Sequence, residues 1–250
     1  MRALVFSLVS LPMLLLARRL WRLWRETGRA PERWLALFFA GLAVGIPSRV
    51  IGVIPDLVAP ALQSGFGAFG HLAFALGIAA LYGFTRSAFR AEVGWARWLS
   101  LAGVTAVGVT TGWVLLAPEA RAELHPAVIA ANSARVLPFL WPFFECTHHA
   151  RLMARRREVG LADPVVANRF ALWAVWTGAL GIFGAVVVAV RLWALSTGSP
   201  ITGNPEQARW LVPPIVVTGC IVAAAAATAV WLSFFPPKRY LRWLQREAEA

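Results

Sequence analysis

Charged residues are scarce in this sequence, and acidic residues are the scarcest of them. Asp and Glu together number 12 against 24 for Lys and Arg, and the four types make up only 14% of the 250 residues. A soluble domain carries about 25% charged residues. A hydrophobic content of 59% and a mean hydropathy of +0.64 therefore exclude an ordinary soluble protein and indicate a membrane protein.

Cysteine and lysine are almost absent. Cys146 and Cys220 both lie in apolar runs, which excludes a disulfide scaffold and a four-cysteine zinc site. The single lysine, Lys238, follows the last apolar run, so no lysine is available within a membrane to hold retinal. Phosphate-binding glycine-lysine loops, nucleophile elbows and zinc-protease helices are also absent from the sequence. We therefore expect no cofactor.

Long apolar runs dominate the chain. A bilayer-spanning helix needs about 20 mostly apolar residues, and seven runs meet that requirement. We predict an all-α polytopic membrane helical bundle in which residues 1–250 form a single transmembrane domain without a soluble domain. The seven predicted transmembrane helices cover about 2–22, 34–57, 65–88, 97–117, 126–148, 169–195 and 210–235. Arg18 and Arg19 follow the first run without a small-residue cleavage site, so we expect that run to be retained.

Basic residues are distributed unequally between the two sides of these spans. Eighteen of the 24 lie around the first, third and fifth connecting segments and the C-terminal tail, whereas Arg2, Arg121 and Arg209 lie on the other side. The positive-inside rule places the N-terminus outside and the C-terminus in the cytoplasm. Because the charges form short groups between apolar runs, we expect contact with membrane lipid and no nucleic acid. The predicted protein therefore crosses the membrane several times.

Several ionisable side chains are predicted inside the spans, where each is costly and marks a functional candidate. The candidates in the outer half of the bundle are Arg49, Asp56, His71, Asn132, Arg135 and Arg191. Arg49 and Asp56 are two helical turns apart and share one face of the second span. Asn132 and Arg135 are separated by about one turn of the fifth span.

Three arginines and a histidine in this region face a single carboxylate, and a surplus of buried positive charge needs an anion or water. The ligand-binding interpretation is an outward-facing cavity that binds a carboxylate or a phosphate-bearing headgroup through Arg49 and Arg135. The structural alternative pairs Arg49 with Asp56, extends Arg191 to the headgroups and bonds Arg135 to backbone carbonyls.

The fifth span carries two prolines and a second polar cluster. Pro138 and Pro142 each remove a backbone hydrogen bond, so we predict a bend between them. Glu145, His148 and His149 follow near the predicted cytoplasmic surface, where they could bind a metal or exchange a proton. One helix supplies too few ligands for a stable metal site, so we expect a structural role and no bound metal.

Two segments of the chain carry a resemblance to a known family. Residues 160–170 and 231–240 resemble an uncharacterised family of bacterial seven-span integral membrane proteins without an assigned function, and the similarity extends over most of the chain, including Arg135 and Glu145. The resemblance implies the seven-span topology, a location in the bacterial inner (plasma) membrane as a multi-pass protein, and no particular reaction.

Both segments also have a direct physical interpretation. Asp163 and Pro164 open a turn, and Asn168 is predicted to cap the start of the sixth span. The pair Pro236 and Pro237 is predicted to end the seventh span before an amphipathic basic segment.

Three classes of function fit these observations. A receptor-like or sensory protein would bind a small anionic or lipid ligand and signal through a separate cytoplasmic partner. A small transporter or channel would use the same outer groups and would need to form a homo-oligomer. A membrane-embedded metal-dependent lipid enzyme would use Glu145, His148 and His149. We favour the non-enzymatic sensory interpretation because its polar groups come from several spans.

Overall fold

The computed structural model describes residues 2–52, 59–117, 125–199 and 205–249. These residues form eight α-helices and no strand, which confirms the predicted all-α class. The helices are α1 (Arg2–Thr27), α2 (Ala30–Ile51), α3 (Pro60–Phe89), α4 (Gly94–Leu116), α5 (Pro126–Glu158), α6 (Pro164–Thr197), α7 (Pro205–Phe234) and α8 (Lys238–Glu249).

Six helical segments are long and apolar enough to cross a membrane by their length and composition. They are Ala30–Ile51, Leu62–Phe89, Gly94–Leu116, Pro126–Arg157, Pro164–Thr197 and Arg209–Phe234. These segments correspond to the second to seventh predicted spans, so the described helices have the composition of a multi-pass membrane protein. The first predicted span lies within α1, and the total of seven spans stays a prediction.

The chain divides into two compact units, Met1–Pro138 and Phe139–Ala250. The boundary falls within α5, beside Pro138, and the helix continues across both Pro138 and Pro142, which are fully buried. The bend predicted at these prolines stays a prediction.

In the first unit, α2 and α3 pack with their backbones in close approach. A Cβ atom added to Gly41 would lie 2.5 Å from the Cα atom of Gly77, and one added to Gly45 would lie 2.5 Å from the backbone nitrogen of Phe74. A Cβ atom added to Gly52 would lie 2.5 Å from the Cα atom of Gly67. Small residues spaced in this manner let two apolar helices exchange many van der Waals contacts where no hydrophobic effect drives them together.

Alanine residues bring α4 and α5 together in the same unit. Ala127 and Ala131, one turn apart on α5, form a buried cluster with Val114 of α4. The next residue along this face of α5 is Arg135, and Thr111 precedes Val114 by about one turn on α4. The apolar contact therefore aligns Arg135 with Thr111.

In the second unit, α5 packs on α6 through glycines of α6. A Cβ atom added to Gly178 would lie 2.6 Å from the ring of Phe143, and one added to Gly181 would lie 2.9 Å from a methyl group of Leu140. Helix α6 also contacts α7 and α8.

Helix α5 continues well beyond the span predicted at 126–148. The apolar pattern ends near His149, but the Arg- and Ala-containing segment that follows has high helix propensity and stays helical to Glu158. Two residues after the end of the helix, Gly160 has a φ of 69°, and the Leu161 amide donates a hydrogen bond to the Arg156 carbonyl. This left-handed glycine termination is typical of a Schellman cap.

The start of α6 corrects one expectation. Asp163, not Asn168, is the N-cap: its carboxylate accepts a hydrogen bond from the backbone amide of Val165 at 2.8 Å, and Pro164 occupies the first helical position. Asn168 lies in the second turn, where its side-chain amide donates to the hydroxyl of Tyr240 at 2.9 Å. The Asp163 carboxylate accepts a hydrogen bond from a backbone amide of the first turn, and Pro164 has no amide proton that would need a partner. Helix α6 therefore begins at Pro164, more than one turn before the predicted span at 169–195.

The end of α7 agrees with the sequence. Helix α7 ends at Phe234, Pro236 and Pro237 interrupt the chain, and α8 begins at Lys238. The predicted amphipathic basic segment is therefore a separate helix.

Candidate functional site

Arg135 is the most deeply placed arginine of the first unit. Its side chain is 8% exposed, and one terminal guanidinium nitrogen donates a hydrogen bond of 3.1 Å to the hydroxyl oxygen of Thr111. The Nε atom is buried and has no hydrogen-bond partner among the described residues. The guanidinium therefore keeps an unused donor at a position that water barely reaches.

Arg49 and Arg135 lie against the same aromatic ring. The guanidinium carbon of Arg49 is 5.1 Å from the centroid of Phe74, and that of Arg135 is 5.6 Å from it. Both distances are within the range of cation–π attraction. We call Arg49, Phe74, Thr111 and Arg135 the Phe74 cluster.

Four helices contribute to the Phe74 cluster, one residue each. The close approach of α2 and α3 at Gly45 and Gly70 sets Arg49 beside Phe74, since Gly70 contacts the backbone and side chain of Arg49. The contact between α4 and α5 sets Arg135 beside Thr111. Glycine and alanine packing therefore determines where the two cations lie.

The electrostatics of the cluster are unusual. The two guanidinium carbons are no further apart than the sum of their distances to the ring. The contacts described for Arg135 are a neutral hydroxyl and a neutral ring. In a medium of low dielectric constant, two like charges repel each other, and an anion near them reduces that repulsion.

The remaining predicted outer residues are placed differently. His71 is half-buried on α3, about one turn before Phe74, and Asn132 is half-buried on α5, about one turn before Arg135. Within the described residues no hydrogen bond joins Asn132 to either arginine. Asp56 lies outside the described residues. Arg191 is half-buried on α6, which belongs to the second unit.

The three residues of the predicted inner cluster have different surroundings in the structure. Glu145 is 6% exposed and accepts a hydrogen bond of 3.2 Å from the indole nitrogen of Trp141, one turn away on α5. His149 stacks on Phe170 with 5.3 Å between ring centroids, whereas His148 is exposed. Among the described residues no group of three or more His, Cys, Asp or Glu side chains is arranged to hold a metal ion.

The sequence interpretation missed Phe74 and did not connect Thr111 with Arg135. Phe74 lies four residues before Ile78 on an apolar helix and has the appearance of a lipid-facing or core residue. Phe74 could have been found from the sequence, because it lies three residues after His71 on a helix that also carries Gly67, Gly70 and Gly77. That pattern predicts a face in close contact with another helix.

Comparisons with protein-family models, with curated proteins and with solved structures gave no match for this chain. The interpretation of the Phe74 cluster therefore rests on its geometry and chemistry.

Proposed function

We propose that this multi-pass membrane protein binds a small anion at the Phe74 cluster and acts as a receptor-like or sensory module. The observation that carries the proposal is the Nε donor of Arg135, which is buried and unused among the described residues beside a second guanidinium. A carboxylate or phosphate oxygen is the group that such a donor prefers, because its negative charge compensates the buried guanidinium charge of Arg135.

The energetic argument concerns the cost of a buried cation. Thr111 supplies one hydrogen bond and Phe74 supplies a π face, and a contact of the second kind contributes about 0.5–2 kcal/mol. Removing a charged group from water costs several kcal/mol after relaxation of the surroundings. An anion offsets this cost directly, whereas two neutral partners offset it only in part.

The setting of the site belongs to the same proposal. We infer seven spans from the apolar runs, and the distribution of arginines along the chain supports an N-terminus outside and a C-terminus in the cytoplasm. In that orientation the Phe74 cluster lies in the outer half of the membrane. The resemblance to bacterial seven-span proteins supports this topology, and a separate cytoplasmic protein would receive the signal.

The test is anion binding to the purified full-length protein. Acetate and inorganic phosphate are titrated against the protein in detergent, with thermal unfolding and calorimetry as readouts. Binding to the folded state raises the unfolding temperature in proportion to the logarithm of the ligand concentration. We expect Arg135→Gln to weaken the tighter of the two interactions by about 10- to 100-fold, as for loss of a charged hydrogen bond.

Arg191→Gln is the matched control, since it removes the same charge from a half-buried position in the second unit. It should weaken anion binding less than Arg135→Gln does, because the half-buried Arg191 has more water available to replace a lost ligand. Equal losses in both variants, or no stabilisation of the unmodified protein by either anion, would overturn the proposal. Asp56→Asn tests the structural alternative, in which Asp56 pairs with Arg49. If the Asp56 carboxylate neutralises Arg49, removing that negative charge should strengthen anion binding.

A flux measurement distinguishes sensing from transport. We expect proteoliposomes containing the protein to bind radiolabelled acetate without passing it faster than protein-free vesicles. The four residues of the Phe74 cluster come from four packed helices, which favours a fixed binding site. Flux that exceeds the protein-free rate and disappears in Arg135→Gln would replace the sensory interpretation with transport.

A further inference from the structure

Helix α8 has an unusual distribution of residues for the last element of a membrane protein. Tyr240 and Leu241 are half-buried and Leu244 is 6% exposed, so one face packs against the rest of the second unit. The opposite face is exposed and strongly basic. Its members are Lys238, Arg239, Arg242 and Arg246. Trp243 lies beside them and is 53% exposed.

The depth of α8 is determined by its contact with α6. The hydroxyl of Tyr240 accepts a hydrogen bond from Asn168, and Arg169, the next residue of α6, is exposed and directly precedes the apolar run of that helix. Phe170 in turn stacks on His149, where the apolar part of α5 ends. Helices α5 and α6 therefore pass from apolar to basic sequence close to these contacts, and α8 lies at the same depth as those two boundaries.

Helices α5 and α6 contribute further exposed arginines at this depth. Arg151 of α5 and Arg169 of α6 are exposed close to the His149–Phe170 contact. The acidic residues of α8, Glu247 and Glu249, are confined to its last turn. The surface near Tyr240 is therefore positive over its described part.

We propose that α8, together with Arg151 and Arg169, forms a binding surface for anionic phospholipid headgroups. We call this surface the α8 patch. The lipid phosphates accept hydrogen bonds from the arginines, and Trp243 enters the interfacial region with its indole ring. A basic helix with an exposed tryptophan at the edge of an apolar bundle matches the chemistry of that layer.

The charge and the position of the α8 patch together identify anionic lipid headgroups as its binding partner. A lipid headgroup layer is present at the depth where each span changes from apolar to basic sequence, so phosphate groups surround the α8 patch in any anionic bilayer. An acidic protein would also satisfy the charges, but an exposed indole at that depth fits the interface between headgroups and acyl chains better than an aqueous contact.

The test places a fluorescent reporter on α8 of the full-length protein. Gln245 is exposed between the arginines, so Gln245→Cys in a Cys220→Ser background accepts a maleimide dye, while Cys146 is fully buried. The labelled protein in detergent is titrated with short-chain phosphatidylglycerol and, separately, with short-chain phosphatidylcholine. We expect a saturable fluorescence change with phosphatidylglycerol that weakens with added salt, and none with phosphatidylcholine.

Two triple variants with the same change in charge locate the interaction. Arg239→Gln, Arg242→Gln and Arg246→Gln together should weaken phosphatidylglycerol binding by about tenfold to one hundredfold. The control replaces Arg155, Arg156 and Arg157, which are exposed one to two turns beyond Arg151 on α5, and should weaken it by less than about threefold, because these residues are not part of the α8 patch and act on it only through screened charge interactions.

Any of three results would overturn the proposal. Unchanged affinity in the α8 variant excludes the patch, equal losses in both variants show an effect of net charge alone, and equal responses to the two lipids exclude recognition of anionic headgroups. Size-exclusion profiles and thermal unfolding of each variant verify that the protein remains folded. The α8 variants leave Arg49 and Arg135 unchanged, so a loss of phosphatidylglycerol binding in them is distinguishable from a loss of anion binding in Arg135→Gln.

Discussion

At the scale of single residues, glycines determine how closely the helices of the first unit pack, because they have no side chain. Gly41, Gly45 and Gly70 let α2 and α3 approach until backbone atoms touch the opposite helix. The same approach sets the guanidinium of Arg49 on the ring of Phe74. A methyl group at any of these glycines would separate the helices, so the position of a cation depends on residues that have no side chain.

A glycine substitution tests this dependence. Gly45→Ala would place a Cβ atom 2.5 Å from the backbone nitrogen of Phe74, which cannot move independently of α3. We expect the free energy of unfolding to fall by about 1–3 kcal/mol, as for other overpacked sites. Unfolding by sodium dodecyl sulfate, followed by circular dichroism, measures the change.

Gly108→Ala is the control for Gly45→Ala. Gly108 is exposed on α4, and a Cβ atom there would meet nothing within 4 Å. The substitution should be neutral or stabilise the protein by up to about 1 kcal/mol, because alanine restricts the unfolded chain more than glycine does. A loss at Gly108 equal to that at Gly45 would show that close helix packing is not the cause.

At the scale of elements, hydrogen bonds determine where helices begin and how the short C-terminal helix is held. The carboxylate of Asp163 starts α6, which frees Asn168 to donate to Tyr240 of α8. The ring of Tyr240 also stacks on Trp243, with 5.8 Å between centroids. Helix α8 has only 12 residues, and a helix that short is marginal in isolation, so these contacts stabilise it.

A double-mutant cycle measures the bond between α6 and α8. Asn168→Ala and Tyr240→Phe each remove one partner, and each should lower the free energy of unfolding by about 0.5–1.5 kcal/mol. The double variant should lose little more than either single one, because the second substitution removes a bond that no longer exists. Strictly additive losses would mean that the two residues stabilise the protein separately.

At the scale of the whole molecule, the lengths of the helices exceed what a bilayer needs. Helices α5 and α6 contain 33 and 34 residues, about 50 Å each, whereas the hydrocarbon core is about 30 Å thick. Their ends therefore extend into the headgroup and aqueous regions. The basic residues Arg155, Arg156 and Arg157 lie on such an extension of α5.

Topology is the prediction at this scale. We expect residues 155–157 and the C-terminus in the cytoplasm and residues 121 and 205 outside, because basic loops remain on the cytoplasmic side. Single cysteines in a Cys220→Ser background, labelled in intact cells with a membrane-impermeant maleimide, report the side of each position. Labelling of residue 155 from outside would reverse the orientation and move the Phe74 cluster to the inner half of the membrane.

The sequence by itself determined the helical class, the apolar segments that can cross a membrane and the end of α7 at its proline pair. These features depend on local composition: an apolar run of about 20 residues requires internally bonded backbone, and proline cannot continue a helix. Arg49 and Arg135 could be selected as candidates for the same reason, since a cation in such a run is costly wherever the neighbouring helices lie.

Only the tertiary structure decided which groups meet. Phe74 and Thr111 became partners of Arg135 because glycine and alanine contacts fix the rotation and separation of four helices. Asn168 became a partner of Tyr240, 72 residues away, because Asp163 had already capped α6. Contacts between distant residues depend on how complete helix surfaces fit together, and the apolar pattern of a single helix does not contain that information.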